Sequence, residues 1–143
     1  MPEIKAAVCK AFGEPLTIQK VKLRDPQNGE IEVKIGAVAI CHSDIAYAGG
    51  AWGGTLPAVY GHEAAGEVTA VGGLVSEFTI GDRVVVTLIR SCGKCNFCGS
   101  GKPTICETYF ETTKGPLSMI DGGLLEQGMN CGAFAEKVVV DQS

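Results

Sequence analysis

No apolar run in this 143-residue chain approaches the roughly 20 residues that a helix needs to cross a bilayer. A membrane-spanning helix is therefore not expected. Excess positive charge is missing too: the net charge is −4 and the pI is about 5.1. That argues against a nucleic-acid grip through phosphates, and against a cysteine cluster that presents a DNA-binding surface. The opening Met1, Pro2, Glu3, Ile4 and Lys5 carry no apolar signal segment, which predicts a reducing, cytoplasmic setting. There is no low-complexity tract, internal repeat or linker. The expectation is one domain over residues 1–143 with a real core.

Three signatures of nucleotide binding or catalysis are also lacking. No G-x-G-x-x-G follows a strand anywhere. Gly99, Ser100, Gly101 and Lys102 look briefly like a phosphate loop. Asn96 replaces its first Gly, however, and Pro103 its Ser or Thr. His62 and Glu63 do not begin an H-E-x-x-H metalloprotease motif, because Gly66 stands at the second His position.

What the chain does hold points to a mainly β fold with short helices. Its 20 glycines and many Val and Ile residues suggest strands joined by tight turns. Strands are expected over Ile4 to Lys10 and Leu16 to Lys22, paired like a hairpin. A turn follows at Asp25 to Gly29. Ile31, Val33 and Ile35 alternate with Glu32 and Lys34, the period of a half-buried strand, and Gly36 to Ile40 continue it. A short helix is expected over Ser43 to Ala48, with Ser43 as its cap. Further strands are expected over Glu67 to Val71, Arg83 to Leu88 and Ala133 to Val140. Thr108 to Asn130 reads as a long loop.

Cys92, Cys95, Cys98 and Cys106 fall within fifteen residues, with gaps of two, two and seven. Thiolates this close on a Gly-rich loop can converge on one tetrahedral zinc, which brings no redox chemistry. The competing readings are weaker. A ferredoxin cluster uses a final gap of three followed by Pro, and neither is present. A disulfide framework suits a small secreted chain. A zinc enclosed by four cysteines holds a loop, here about residues 91–107, and leaves the chemistry to another part of the chain.

A second constellation is Cys41, His42, Ser43, Asp44 and, some twenty residues on, Gly61, His62, Glu63, Ala64, Ala65, Gly66. A thiolate and an imidazole are good zinc ligands, and two side chains alone leave the metal open, as catalysis requires. Singly, Cys41 also fits a buried apolar thiol and His62 a hydrogen-bonded core histidine.

Taken together, these motifs, with Gly72 and Val75 following and the cysteine loop after Gly81, Asp82, Arg83 and Val84, resemble the zinc-containing alcohol dehydrogenases of the medium-chain dehydrogenase/reductase family. The resemblance runs from about Lys5 to Asp141. It implies a GroES-like, partly open β-barrel with a zinc-bound Cys lobe. It implies that Cys41 and His62 ligate a catalytic zinc and that Glu63 lies near it and ligates in some states. Asp44 would orient the His ligand, and Ser43 would take the proton from the alcohol. His42 would contact the pyrophosphate of NAD or NADP, and Trp52 would line the substrate pocket. Each residue also has a plain alternative: Ser43 a cap, His42 a solvated side chain, Trp52 core. The implied reaction is hydride transfer between a small alcohol and the nicotinamide ring, with an aldehyde or ketone in reverse and zinc as Lewis acid. Homo-oligomers are common among such proteins.

The sequence departs from that family in two ways. Ala46 stands where some members continue the proton relay through a His. The family's third zinc ligand and its nucleotide-binding Rossmann domain would lie beyond Ser143. Cys9 and Cys131 match no ligand position and read as buried thiols. Two functions follow. One is the catalytic domain of an NAD(P)-dependent dehydrogenase, inactive without a Rossmann domain supplied in cis or in trans. The other is a non-catalytic zinc-binding module for assembly or partner binding, which would need the cysteine lobe but not the Cys41–His62 constellation.

Overall fold

A computed structural model describes residues 1–108, 110 and 114–143. Among the described residues, nine strands form two sheets. The first contains β1 (Glu3–Cys9), β2 (Thr17–Leu23), β4 (Ala58–Val59), β7 (Leu117–Met119) and β8 (Glu126–Gln127), in the order β7-β2-β1-β4-β8. The second contains β3 (Glu30–Val38), β5 (Glu63–Val71), β6 (Arg83–Thr87) and β9 (Lys137–Asp141), in the order β6-β5-β3-β9. Helices α1 (His42–Ala48) and α2 (Asn96–Gly99) are short.

The residues before β9 join the sheets into a nearly closed barrel. Ala7 N–H donates to Phe134 O at 2.8 Å and Glu136 N–H to Lys5 O at 3.0 Å, while Ile35 N–H donates to the Glu136 carbonyl at 3.0 Å. This crossing also explains why β9 begins at Lys137 and not at Ala133. Residues 134–136 spend backbone groups on β1 as well as on β3. Side chains alternate across β9: Val138 and Val140 pack with Ile31, Val33, Val68 and Val86, whereas Val139 packs with Val8, Val21, Leu23 and Leu125.

The expected β1–β2 hairpin is present, with Ile4 opposite Val21. Other expectations need correction. β3 stops at Val38 and not Ile40, and β5 starts at Glu63 and not Glu67. The chain over 108–130 is not one loop, for it adds β7 antiparallel to β2 and β8 parallel to β4. Strands of two or three residues are too short for alternation to reveal. Tyr109 and residues 111–113 of that stretch lie outside the described residues.

The pairing of β3 with β5 creates the site. Val38 faces Ala64, and Ala39 N–H donates to Glu63 O at 2.9 Å. The end of one strand thus lies beside the start of the other, which brings Cys41 and His62 together from twenty residues apart. Irregular register near Ile35 and Ala37 bends β3 just before this end. Gly66 lies opposite Ile35, and a Cβ there would collide with the Lys34 carbonyl.

Candidate active site and metal centres

Helix α1 starts one residue earlier than expected, and Ser43 does not cap it. Cys41, extended at φ −89° and ψ 155°, holds the N-cap position. The reason is Asp44 in the first turn, whose Oδ2 accepts from Cys41 N–H at 3.0 Å. Ser43 Oγ instead lies 3.7 Å from Cys41 Sγ.

Asp44 is 3% exposed and also serves the β5 side. Its Oδ1 accepts from Gly61 N–H at 3.0 Å and lies 3.1 Å from His62 Nδ1. An imidazole facing a carboxylate through Nδ1 carries its proton there and leaves Nε2 as a lone-pair donor. That atom sits 3.7 Å from Glu63 Oε1. Gly61 makes the turn into the site at φ +94°, where any Cβ would lie 2.8 Å from Phe134 N. Cys41, His62 and Glu63 each offer a ligand atom within 4.8 Å of the other two. Cys41 is half-buried, His62 buried and Glu63 exposed, so the group opens to one side. A soft thiolate, an imidazole and a carboxylate make a donor set that fits zinc and leaves a position free.

The cysteine loop forms the second centre. The four sulfurs lie within 4.8 Å of one another, with Cys95 and Cys106 4.0 Å apart. Zn–S bonds of about 2.3 Å place tetrahedral thiolates roughly 3.8 Å apart, so the set fits zinc closely. All seven cysteines are free, which removes the disulfide reading for the described residues. Backbone N–H groups of Cys92, Cys95, Cys98 and Thr108 donate to the sulfurs at 3.3–3.4 Å. The Thr108 side chain, helped by the Lys94 and Cys95 amides, pulls Cys92 down to about 6. Burial and the neighbouring Cys95 thiol push Cys98 up to about 11. Four sulfurs this close, one of them readily ionised, make a donor set that a zinc dication would satisfy. The resemblance to a phosphate loop near Gly99 falls inside this lobe.

The remaining expected residues are distributed as follows. His42 is exposed at the first position of α1. Trp52 is 59% exposed, so it is not core. Its ring meets Tyr47 edge-on at 5.1 Å, and Tyr47 stacks on Tyr60 at 5.8 Å. Trp52, Tyr47, Tyr60, Leu88, Arg90 and Met129 line a cleft of about 640 Å³. Leu88 also lines an adjoining hollow that contains His62 and Glu63. Cys9 and Cys131 are fully buried and join neither metal cluster. Cys131 instead donates to Thr87 O at 3.0 Å, and burial raises its pKa.

Tyr47, Tyr60, Leu88 and Arg90 escaped the sequence reading. Tyr47 had a signal: four residues after Ser43, it shares that residue's helix face. Arg90 had none. Its Nη atoms donate to the carbonyls of Thr87, Ile89 and Asn130 and to Cys131 Sγ. It thereby fastens the exit of β6 to the turn at Met129 and Asn130, both at positive φ.

Residues 27–143 match the family model of the alcohol dehydrogenase GroES-like domain. The chain belongs to the zinc-containing alcohol dehydrogenase family. Among its relatives is a CYP enzymes assisting alcohol dehydrogenase of Catharanthus roseus, 35% identical over 96% of this chain and 39% of that protein. An S-(hydroxymethyl)glutathione dehydrogenase of Synechocystis sp. is 38% identical over 95% of this chain and 39% of its own length. Among solved structures, an alcohol dehydrogenase zinc-binding domain protein from Burkholderia ambifaria superposes with a TM-score of 0.91 at 31% identity, covering 99% of this chain and 40% of that one. Benzyl alcohol dehydrogenase from Acinetobacter calcoaceticus gives 0.84 at 31% identity, with the same coverage. The barrel is thus the family's GroES-like fold, and the chain spans about two fifths of the length of the relatives it matches.

Proposed function

We propose that this chain is the catalytic domain of an NAD(P)-dependent alcohol dehydrogenase that transfers a hydride between an alcohol and a nicotinamide, with an aldehyde or ketone in reverse. One observation carries the reading. Asp44 ties the backbone of Cys41 to the ring of His62 and leaves Cys41 Sγ, His62 Nε2 and the Glu63 carboxylate clustered and open to one side. A module for assembly alone would need the four-cysteine lobe but not this arrangement.

Zinc held by Cys41 and His62, with Glu63 in reach, would supply Lewis acidity toward the substrate oxygen. The chain's own residues do the rest. Asp44 fixes the His62 tautomer and ring plane. Ser43 Oγ, close beside Cys41 Sγ, accepts the hydroxyl proton of the alcohol. Ala46, following on α1, carries no group that could take the proton on from Ser43, so this chain itself offers the proton no second side-chain stop. His42, exposed at the start of α1, is placed to meet a cofactor phosphate. Cys92, Cys95, Cys98 and Cys106 hold a structural zinc that fixes the lobe at about 91–107.

The nucleotide-binding Rossmann domain, in cis or in trans, is the expected partner. An exposed apolar rim beside the candidate catalytic site supports this: Ala37 near the end of β3 and Ala39 and Ile40 just beyond it are exposed, and Ala65, Val85 and Leu88 lie close by. Ile40 and Val85 are 74% and 73% exposed. Such a rim is costly in water and suits a domain contact. The isolated chain should therefore bind metal but not turn over.

Cobalt substitution tests this reading. Co²⁺ at a site containing Cys41 thiolate gives a sulfur-to-cobalt charge-transfer band. That band should vanish in Cys41→Ser and shift when an alcohol is added. A spectrum indifferent to both would contradict the reading.

A further inference from the structure

We propose that Arg90 and Cys131 are positioning residues for His62: together they lock the two backbone segments that flank this candidate zinc ligand, and so keep its ring seated on Asp44 with Nε2 free to ligate. This inference rests on the reading of Cys41, His62 and Glu63 as the catalytic centre.

His62 is held on both sides by segments remote in sequence. On one side, Ala133 N–H donates to Gly61 O at 2.9 Å and Phe134 N–H to Tyr60 O at 2.8 Å. On the other, Thr87 of β6 lies opposite Glu63 of β5. Gly61 N–H in turn donates to Asp44 Oδ1 at 3.0 Å, the same oxygen that faces His62 Nδ1. A shift of residues 131–134 against the end of β6 therefore changes where the ring meets its carboxylate.

Arg90 and Cys131 join those two segments. Cys131 S–H donates to Thr87 O at 3.0 Å. Arg90 donates to the same carbonyl through Nη1, and through Nη2 to Cys131 Sγ at 3.5 Å and to Asn130 O at 2.7 Å. The three groups close a triangle at the position opposite Glu63. A planar guanidinium fork can serve carbonyls of both segments at once. Met129 and Asn130 lead into the joint at φ 53° and 56°, a backbone that residues other than glycine keep only when their surroundings hold it.

Cys131 is fully buried, so no water replaces its bond to Thr87. Burial raises its pKa, the Arg90 cation lowers it, and the Asp44 carboxylate raises it again. The thiol thus stays a neutral donor within electrostatic reach of both charges. The joint and the carboxylate that orients His62 are close neighbours in the barrel.

The chain contains two histidines, and the exposed His42 serves as an internal reference. Long-range proton–nitrogen NMR reads the tautomer of each ring in the chain with zinc in the cysteine lobe alone, at about pH 8.5, where an ordinary imidazole is neutral. Wild-type His62 should carry its proton on Nδ1. Cys131→Ala removes a donor and an acceptor, and should bring in the Nε2–H form at His62 while His42 stays unchanged. Cys131→Ser keeps both and should restore the wild-type tautomer. Arg90→Lys, with one ammonium in place of the fork, should behave like Cys131→Ala. Zinc affinity at the Cys41–His62 centre should fall about tenfold in Cys131→Ala and recover in Cys131→Ser, with the four-cysteine zinc unmoved. His62 held as Nδ1–H in Cys131→Ala and Arg90→Lys alike, or perturbed equally by Ala and Ser at position 131, overturns the proposal and leaves the dehydrogenase reading standing. An Nε2–H ring in the wild type overturns both. The expected tautomer series in a chain that takes up a single zinc supports the positioning role and rejects the dehydrogenase reading alone.

Discussion

Asp44 Oδ1 lies 3.1 Å from His62 Nδ1, and both side chains are 3% exposed. The contact crosses from the first turn of α1 to the start of β5. Asp44 also accepts from the backbone of Cys41 and Gly61, so one carboxylate sets the positions of both candidate ligands. Asp44→Asn would present an amide N–H to the Cys41 N–H and weaken the hold on His62. Zinc affinity at this centre should fall about 10–100-fold, with the four-cysteine zinc retained. Competition with a colorimetric chelator measures both sites.

The cysteine lobe contributes no residue to either main barrel core. Cys95→Ser should therefore release one zinc and unravel residues near 91–107, while far-UV circular dichroism of the barrel stays close to wild type. Global unfolding of that variant would show that the lobe holds the barrel together.

Arg90 bridges the exit of β6 and the Met129–Asn130 turn through bonds to carbonyl groups and Cys131. Arg90→Met leaves those acceptors unpaired in a half-buried setting and should cost about 2 kcal/mol in urea denaturation. Amide exchange at Cys131 and Gly132 should speed up. Arg90→Lys should rescue little, because one ammonium cannot reproduce the planar fork.

Arg24 donates through both Nη atoms to Glu30, and Gln27 N–H adds a bond of 2.8 Å. Burial opposes ionisation of Glu30, but these bonds outweigh it and hold its pKa below the ordinary glutamate value. A lowered folded pKa means that the pair's stabilisation is complete above the unfolded value of about 4.3 and is lost as pH falls through the lower, folded one. Glu30→Gln should cost about 1 kcal/mol at neutral pH, because the pair is partly exposed. That deficit should shrink toward zero in acid, as measured by denaturation at a series of pH values.

Local features were legible in the sequence and tertiary ones were not. The cysteine loop could be read because its four ligands fall within fifteen residues. β1, β2 and β3 could be read because seven to nine residues show alternation and turn residues bound them. The family motif around Cys41 and His62 drew attention to the centre, but the hairpin-like return of β3 onto β5 that joins them is a long-range pairing. Ser43 looked like the helix cap because its type favours that position. Asp44 displaces it by supplying the reciprocal bond to the Cys41 backbone. Tyr47 and Tyr60 stayed hidden as neighbours of Trp52 because they come from separate segments and meet only after the barrel closes. β7 and β8 add edge strands too short to carry a period.

The central claim is that this fold holds two metal ions with different ligands, one to fix the lobe and one for chemistry. Elemental analysis of the freshly purified chain tests it most directly. The account predicts two zinc ions per chain, one lost in Cys41→Ser and the other in Cys98→Ser. One zinc per chain, unaffected by Cys41→Ser, would contradict the catalytic centre, and iron in place of zinc would contradict the account as a whole.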